Sequence, residues 1–206
     1  LNRATWALFI TQSKYKLFMT QSDSLLNTAF PYFMEKGDAQ RRAMVLYYRA
    51  ALYHEGNKME EAQEYYLKAI DEIVKTENHE LAHLIYTGLG NVYSHALPDH
   101  ALEYYMKAKE YAIKSNKSRF IRASHVYLAR IYGKKNNYQE AIHHYQTAIS
   151  IAKSNNEPLK LIAAQKELAS ILIRIKDYNS ALKYMKEIEK TEKEHSLKLG
   201  EHKYLT

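Results

Sequence analysis

The sequence of 206 residues contains no cysteine. That excludes disulfides, cysteine-ligated zinc and a thiol nucleophile. Glycine (6) and proline (3) are scarce, so long helices can run with few breaks. No apolar run approaches the roughly 20 residues that cross a bilayer. The chain begins at Leu1 with no methionine and no signal-peptide pattern, and ends in Lys203-Tyr204-Leu205-Thr206 without a terminating signal. A fragment or a processed product is the expectation.

Tyrosine is plentiful, at 19 residues against 5 phenylalanines. Its ring can fill a gap between helices while its hydroxyl reaches water or a partner. The net charge of +7 is uneven: residues 117–206 hold 17 Lys/Arg and 9 Asp/Glu, whereas residues 1–116 hold 13 and 14. Two readings fit this: a solvated Lys-rich outer surface, or attraction of an anionic ligand toward the C-terminal half.

The chain repeats itself. A motif Ala-x-x-x-aromatic-x-x-Ala occurs at Ala62, Tyr66, Ala69, at Ala101, Tyr105, Ala108, and at Ala141, Tyr145, Ala148. A weaker copy follows at Ala181, Met185, Ile188. Upstream of each copy lies a second pattern: Leu46, Arg49, Ala50, Tyr53; then Tyr86, Leu89, Gly90, Tyr93; then His125, Leu128, Ala129, Tyr132; then Gln165, Leu168, Ala169, Leu172. Spacings of three and four put each set on one helix face. Polar turns at Gly56-Asn57, Pro98-Asp99, Asn136-Asn137 and Lys176-Asp177 separate the patterns, and Asn or Asp there can cap the second helix. Each unit therefore reads as helix A, turn, helix B. The small residues let the two helices approach closely, and the aromatics fill the wedge to the next hairpin. A lone hairpin cannot bury its apolar face, so neighbours must stack.

These residues closely resemble the tetratricopeptide pattern, in a long variant with a period near 40. Such long helices resemble kinesin light chain and bacterial peptide-sensing repeat proteins. The resemblance implies an all-α, right-handed α-α superhelix of about five hairpins. A single domain is expected: a degenerate repeat at 1–41, repeats at 42–81, 82–120, 121–160 and 161–200, and a tail at 201–206. In the first repeat Trp6 to Ile10 begins helix A, and Ser22-Asp23-Ser24-Leu25-Leu26 caps and begins helix B. The run Arg3-Ala4-x-Trp6-Ala7-Leu8, with Thr11-Gln12, Ser22 to Leu25 and Gly37-Asp38, is similar to a Bacteroidetes repeat group. That likeness implies an envelope-anchored sensor or regulator facing the periplasm; a cytoplasmic adaptor is the alternative.

Catalytic chemistry finds little to stand on. His79-Glu80-Leu81-Ala82-His83 matches HExxH, in which two histidines one turn apart hold zinc and the glutamate acts as base. It coincides with the start of a repeat helix and lacks the extended third-ligand pattern, so a fortuitous match is the expectation. His143 and His144 diverge by about 100° around their helix, poor geometry for one metal. Gly88 and Gly90 fit close helix packing, not a phosphate loop. No catalytic residue, metal or cofactor is expected. Nor is nucleic-acid binding, since the lysines alternate with glutamates (Lys186, Glu187, Glu189, Lys190) as surface pairs do.

In the tetratricopeptide family helix A lines a concave groove that takes an extended peptide or a partner helix. By register, the resemblance places Tyr47, Ala51, His54 and Glu55 there, then Thr87, Asn91, Ser94 and His95. Val126, Arg130 and Lys134 follow, then Lys166, Ser170 and Arg174. Asn91, Arg130, Lys134, Lys166 and Arg174 make a polar-to-basic track that resembles a carboxylate clamp, suited to an acidic segment or a free carboxylate. The function implied is a non-catalytic protein- or peptide-binding scaffold, part of a larger sensor or adaptor. A self-associating structural module is the alternative, and an HExxH metalloenzyme the remote one. The oligomeric state stays open.

Overall fold

The computed structural model describes residues 2–16 and 23–203, and among them are ten helices and no strand. They are α1 (Arg3–Lys16), α2 (Asp23–Lys36), α3 (Ala39–Glu55), α4 (Met59–Ile73), α5 (His79–Tyr93), α6 (Pro98–Lys114), α7 (Ser118–Lys134), α8 (Tyr138–Ser154), α9 (Pro158–Arg174) and α10 (Tyr178–Lys203). The predicted cap Ser22 and the tail residues Tyr204, Leu205 and Thr206 lie outside the described residues. No helix among the described residues is long and apolar enough to cross a membrane.

The chain divides into two compact units, residues 1–115 with α1 to α6 and residues 116–206 with α7 to α10. In the first, α1 pairs with α2, α3 with α4 and α5 with α6, while α2 packs on α3 and α4 on α5. In the second, α7 pairs with α8 and α9 with α10, and α8 packs on α9. Short turns make consecutive helices antiparallel. The small residues sit where the sequence needs them: Ala50, Ala62, Ala69, Ala101, Ala129 and Ala141 are all fully buried. Tyr66, Tyr105 and Tyr145 are buried as wedges between helices, each stabilising its unit by about 2 kcal/mol relative to exposure.

The turns divide the capping work more finely than expected. Asn137 accepts a bond from Glu140 N and Asp177 from Ser180 N, as side-chain caps do. Asn57 instead takes the left-handed conformation at φ 58°, and Lys58, just before α4, makes no side-chain cap bond. Asn tolerates that conformation because its short amide side chain bonds locally. Asn116, Asn136 and Asn156 repeat it, and Lys176 does so at φ 65°. At the second turn Pro98 opens α6, where a missing N–H costs nothing, and Asp99 lies in the first turn toward the helix dipole. The final helix is the longest, with 26 residues.

Candidate functional site

In the first unit the predicted groove positions grade from buried to exposed. Tyr47 is buried, edge-on to Tyr48 at 5.1 Å and tilted against Tyr66 at 6.1 Å, so its ring belongs to the core. Ala51 is buried too. His54 is half-buried, and burial holds its imidazole below its ordinary pKa against the pull of Glu55. On α5, Thr87 is only 7% exposed, and its Oγ1 has no hydrogen-bond partner among the described residues. One turn on, half-buried Asn91 accepts a bond from the Tyr105 hydroxyl at 2.8 Å. His95 is exposed just past the end of the helix.

In the second unit the predicted basic residues are exposed, and Arg130 and Lys166 meet carboxylates. Arg130 of α7 donates through Nε to Glu167 of α9 at 2.7 Å and through Nη2 to the other oxygen of the same carboxylate. The Tyr145 hydroxyl donates to Glu167 as well, at 2.7 Å. Burial alone would raise the Glu167 pKa, but the bonds from Arg130 and Tyr145 outweigh it and hold the carboxyl below its usual range. Burial first, and then Glu167, push the Tyr145 hydroxyl up. Lys166 donates to Glu192 at 2.9 Å, and Ser170 bonds back to the Lys166 carbonyl. Lys134 and Arg174 are exposed at the helix ends. Half-buried Val126 packs against the apolar cluster of this unit. The expected basic track is therefore, in this unit, an alternation of cations with glutamates.

The HExxH segment forms the first turns of α5, capped by Asn78. His83 is buried, and its Nδ1 donates to the Ala108 carbonyl at 3.1 Å. The His79 ring leans on Tyr111 at 6.0 Å, with Nε2 3.3 Å from Glu77. No group of three His, Cys, Asp or Glu among the described residues could hold a metal ion. Burial lowers the His83 pKa, and the Ala108 bond only partly offsets this. A depressed histidine leaves stability intact above the unfolded value near 6.5 and loses it as pH falls below that point. The urea midpoint of the first unit should fall between pH 7.5 and pH 5. His83→Gln should flatten that dependence, measured by circular dichroism; an unchanged slope would count against a proton-resisting His83.

Two arrangements escape a one-dimensional reading. His125 and His144 bring their Nδ1 atoms within 2.8 Å, one ring donating and the other accepting, while Tyr132 stacks on His144 at 5.5 Å. His144 is buried and its neighbour His143 is exposed, as the divergence of adjacent helix positions requires. In the first unit Tyr111, Tyr86, Tyr104 and Tyr93 form a stacked run with centroid spacings of 5.3, 6.5 and 5.4 Å. Its signal was present: Tyr86 and Tyr93, like Tyr104 and Tyr111, stand two turns apart on paired helices. Burial, with Tyr111 and Tyr104 alongside, pushes the Tyr86 hydroxyl up to about 12.

Residues 13–205 match the profile of the family described as Soluble NSF attachment protein, SNAP. The chain belongs to the SNAP family. No curated protein matches its sequence. Among solved structures, the apo form of RapI is similar at TM-score 0.81 and 17% identity, over 98% of this chain and 75% of that one. A Rap protein complexed with competence and sporulation factor is similar at 0.74 and 17%, over 92% of this chain. This chain spans 54% of that Rap protein. The kinesin light chain TPR-like repeats from Podosopora anserina follow at 0.75 and 17%, covering 94% and 96%. At such identities the likeness is one of fold, and it is the tetratricopeptide-type solenoid that the repeat pattern implied. SNAP-family membership and these neighbours fit a protein-interaction scaffold.

Proposed function

We propose that this SNAP-family chain is a non-catalytic scaffold whose helix A faces hold a protein or peptide segment, as the sensor or adaptor portion of a larger protein. The observation that carries this is on α5: half-buried Asn91, whose Oδ1 accepts from Tyr105 and whose amide nitrogen is a donor suited to the backbone of an extended ligand. In the second unit Arg130, Lys134, Lys166 and Arg174 suit a carboxylate, which would compete with Glu167 and Glu192 for the same donors. A related fold solved with a bound factor, the Rap complex, supports the reading.

The test uses fluorescent random decapeptides with free or amidated C-termini. Free-carboxylate peptides should bind with Kd of about 10–100 μM, more weakly as salt rises. Lys166→Glu with Arg174→Glu should weaken them at least about tenfold, roughly 1.4 kcal/mol. Binding indifferent to the charge reversal, or no peptide binding at all, would sink the proposal.

A further inference from the structure

Three successive hairpins pair two rings at one register position. Tyr53 of α3 stacks on Tyr65 of α4 at 5.3 Å, and Tyr93 of α5 on Tyr104 of α6 at 5.4 Å. Tyr132 of α7 stacks on His144 of α8 at 5.5 Å. One step on, 40 positions after Tyr132 and His144, the register puts Leu172 on α9 and Tyr184 on α10. The helix B ring persists, but the helix A ring is gone. Tyr184 accordingly has no ring partner among the described residues.

A cavity of about 580 Å³ opens beside Tyr184, within the second unit. Helices α8 and α10 form its two long walls, and Leu168 and Leu172 of α9 lie at its floor. It is thus enclosed between helices of this chain and does not lie on an end face. Its charged rim is largely paired. Lys153 lies 3.6 Å from Glu187, which also accepts from Gln165 at 2.9 Å. Asp177 accepts from the Ser180 amide at 3.1 Å. By contrast, Lys183 forms no ion pair among the described residues, and the side-chain amides of Gln139 and Gln146 make no hydrogen bond there. What the cavity leaves open is one unstacked ring, one ammonium and two amides over an apolar floor. All three polar groups can donate to a carboxylate.

We propose that this cavity binds a small aromatic monocarboxylate. Its ring stacks on Tyr184, in the place that Tyr93 takes beside Tyr104, and its carboxylate meets Lys183 with Gln139 or Gln146. The volume is that of a small-molecule site and accommodates one or two fused rings. A single negative charge fits, because Lys183 is the one cation of the lining that lacks a described carboxylate partner. The inference goes beyond the groove reading and does not rest on it.

Ligand-observed magnetic resonance titrations with indole-3-acetate, indole-3-acetamide and cyclohexaneacetate test it. Indole-3-acetate should saturate with a Kd of about 0.1–1 mM. The amide lacks the charge and the cyclohexane lacks the stack, so each should bind about three- to tenfold more weakly. Lys183→Met should erase the difference between acid and amide, and Tyr184→Leu the difference between indole and cyclohexane. Leu172→Tyr, which restores the missing ring, should abolish binding. Leu172 is 5% exposed, so far-ultraviolet dichroism checks that variant; if it unfolds, the exposed Lys183 and half-buried Tyr184 still decide the matter. No saturable binding by about 10 mM would overturn the proposal. So would equal affinity for acid and amide, or for indole and cyclohexane, or a folded Leu172→Tyr protein that binds as the parent does. N-acetylphenylalanine and a decapeptide ending in phenylalanine should bind alike. A gain of about tenfold by the peptide, roughly 1.4 kcal/mol, would make a chain terminus the occupant and overturn the small-acid assignment.

Discussion

Gly88→Ala is expected to destabilise residues 1–115 by about 2–3 kcal/mol, although alanine is the better helix former by about 1 kcal/mol. The sign is decided by what the added methyl would meet. At Gly88 it would lie 2.4 Å from Cζ, 2.5 Å from Cε1 and 2.6 Å from the hydroxyl of Tyr66. That ring is buried and backed by Tyr47, so it has nowhere to go without moving α4 off α5. Gly90→Ala should behave alike, since its methyl would fall 2.5 Å from Cε1 of Tyr105, which Asn91 anchors through the hydroxyl. Gly133 is the control: there the nearest atom is the flexible end of Ile171 at 3.1 Å. Gly133→Ala should be neutral or gain up to about 1 kcal/mol. Urea unfolding of the three variants reads the contrast directly. A Gly88→Ala protein as stable as the parent would show that the α4–α5 contact is looser than the structure has it. Adding Tyr66→Leu to Gly88→Ala should recover part of the loss, a coupling that independent sites would not show.

The repeat was legible because its two signals are periodic: small residues where helices touch, and tyrosines where hairpins wedge. Ala50, Ala101 and Ala141 could be placed at zero exposure from spacing alone. The groove was less legible, because register fixes which face a residue occupies but not what stands opposite. Arg130 and Lys166 were placed on the expected helices, yet Glu167 lies 37 residues from Arg130 and Glu192 lies 26 residues from Lys166. Nothing local in sequence announces either pairing. At Tyr47 the groove register coincides with a ring that the core absorbs. The His125–His144 contact is hidden in the sequence because adjacency singles out His143-His144, whereas space pairs residues 19 apart on facing helices. Asn57 is ambiguous in sequence because Asn serves both caps and left-handed turns, and only the backbone angle separates them.

Replacing Glu167 should move stability and affinity in opposite directions. The carboxylate accepts from Arg130 twice and from buried Tyr145 once. Glu167→Ala leaves the Tyr145 hydroxyl without its acceptor and Arg130 without its counter-charge. The first loss costs about 1–3 kcal/mol; the second adds less, because the Arg130 side chain is 50% exposed and solvent screens it. Glu167→Gln keeps an acceptor for Tyr145 and should cost only about 1 kcal/mol. The Glu167 pKa is depressed, so its contribution is present above the unfolded value near 4.5 and is lost as pH falls through the lower folded value. The stability gap between the parent and Glu167→Gln should therefore close in acid. Ligand binding should respond the other way. With glutamine at 167, Arg130 no longer shares a neutralised pair, and free-carboxylate peptides should bind about fivefold more tightly, roughly 1 kcal/mol. Amidated peptides should show no gain. A merely structural Glu167 would lower stability and leave both peptide series unchanged, whereas a competing carboxylate within a binding face would separate them.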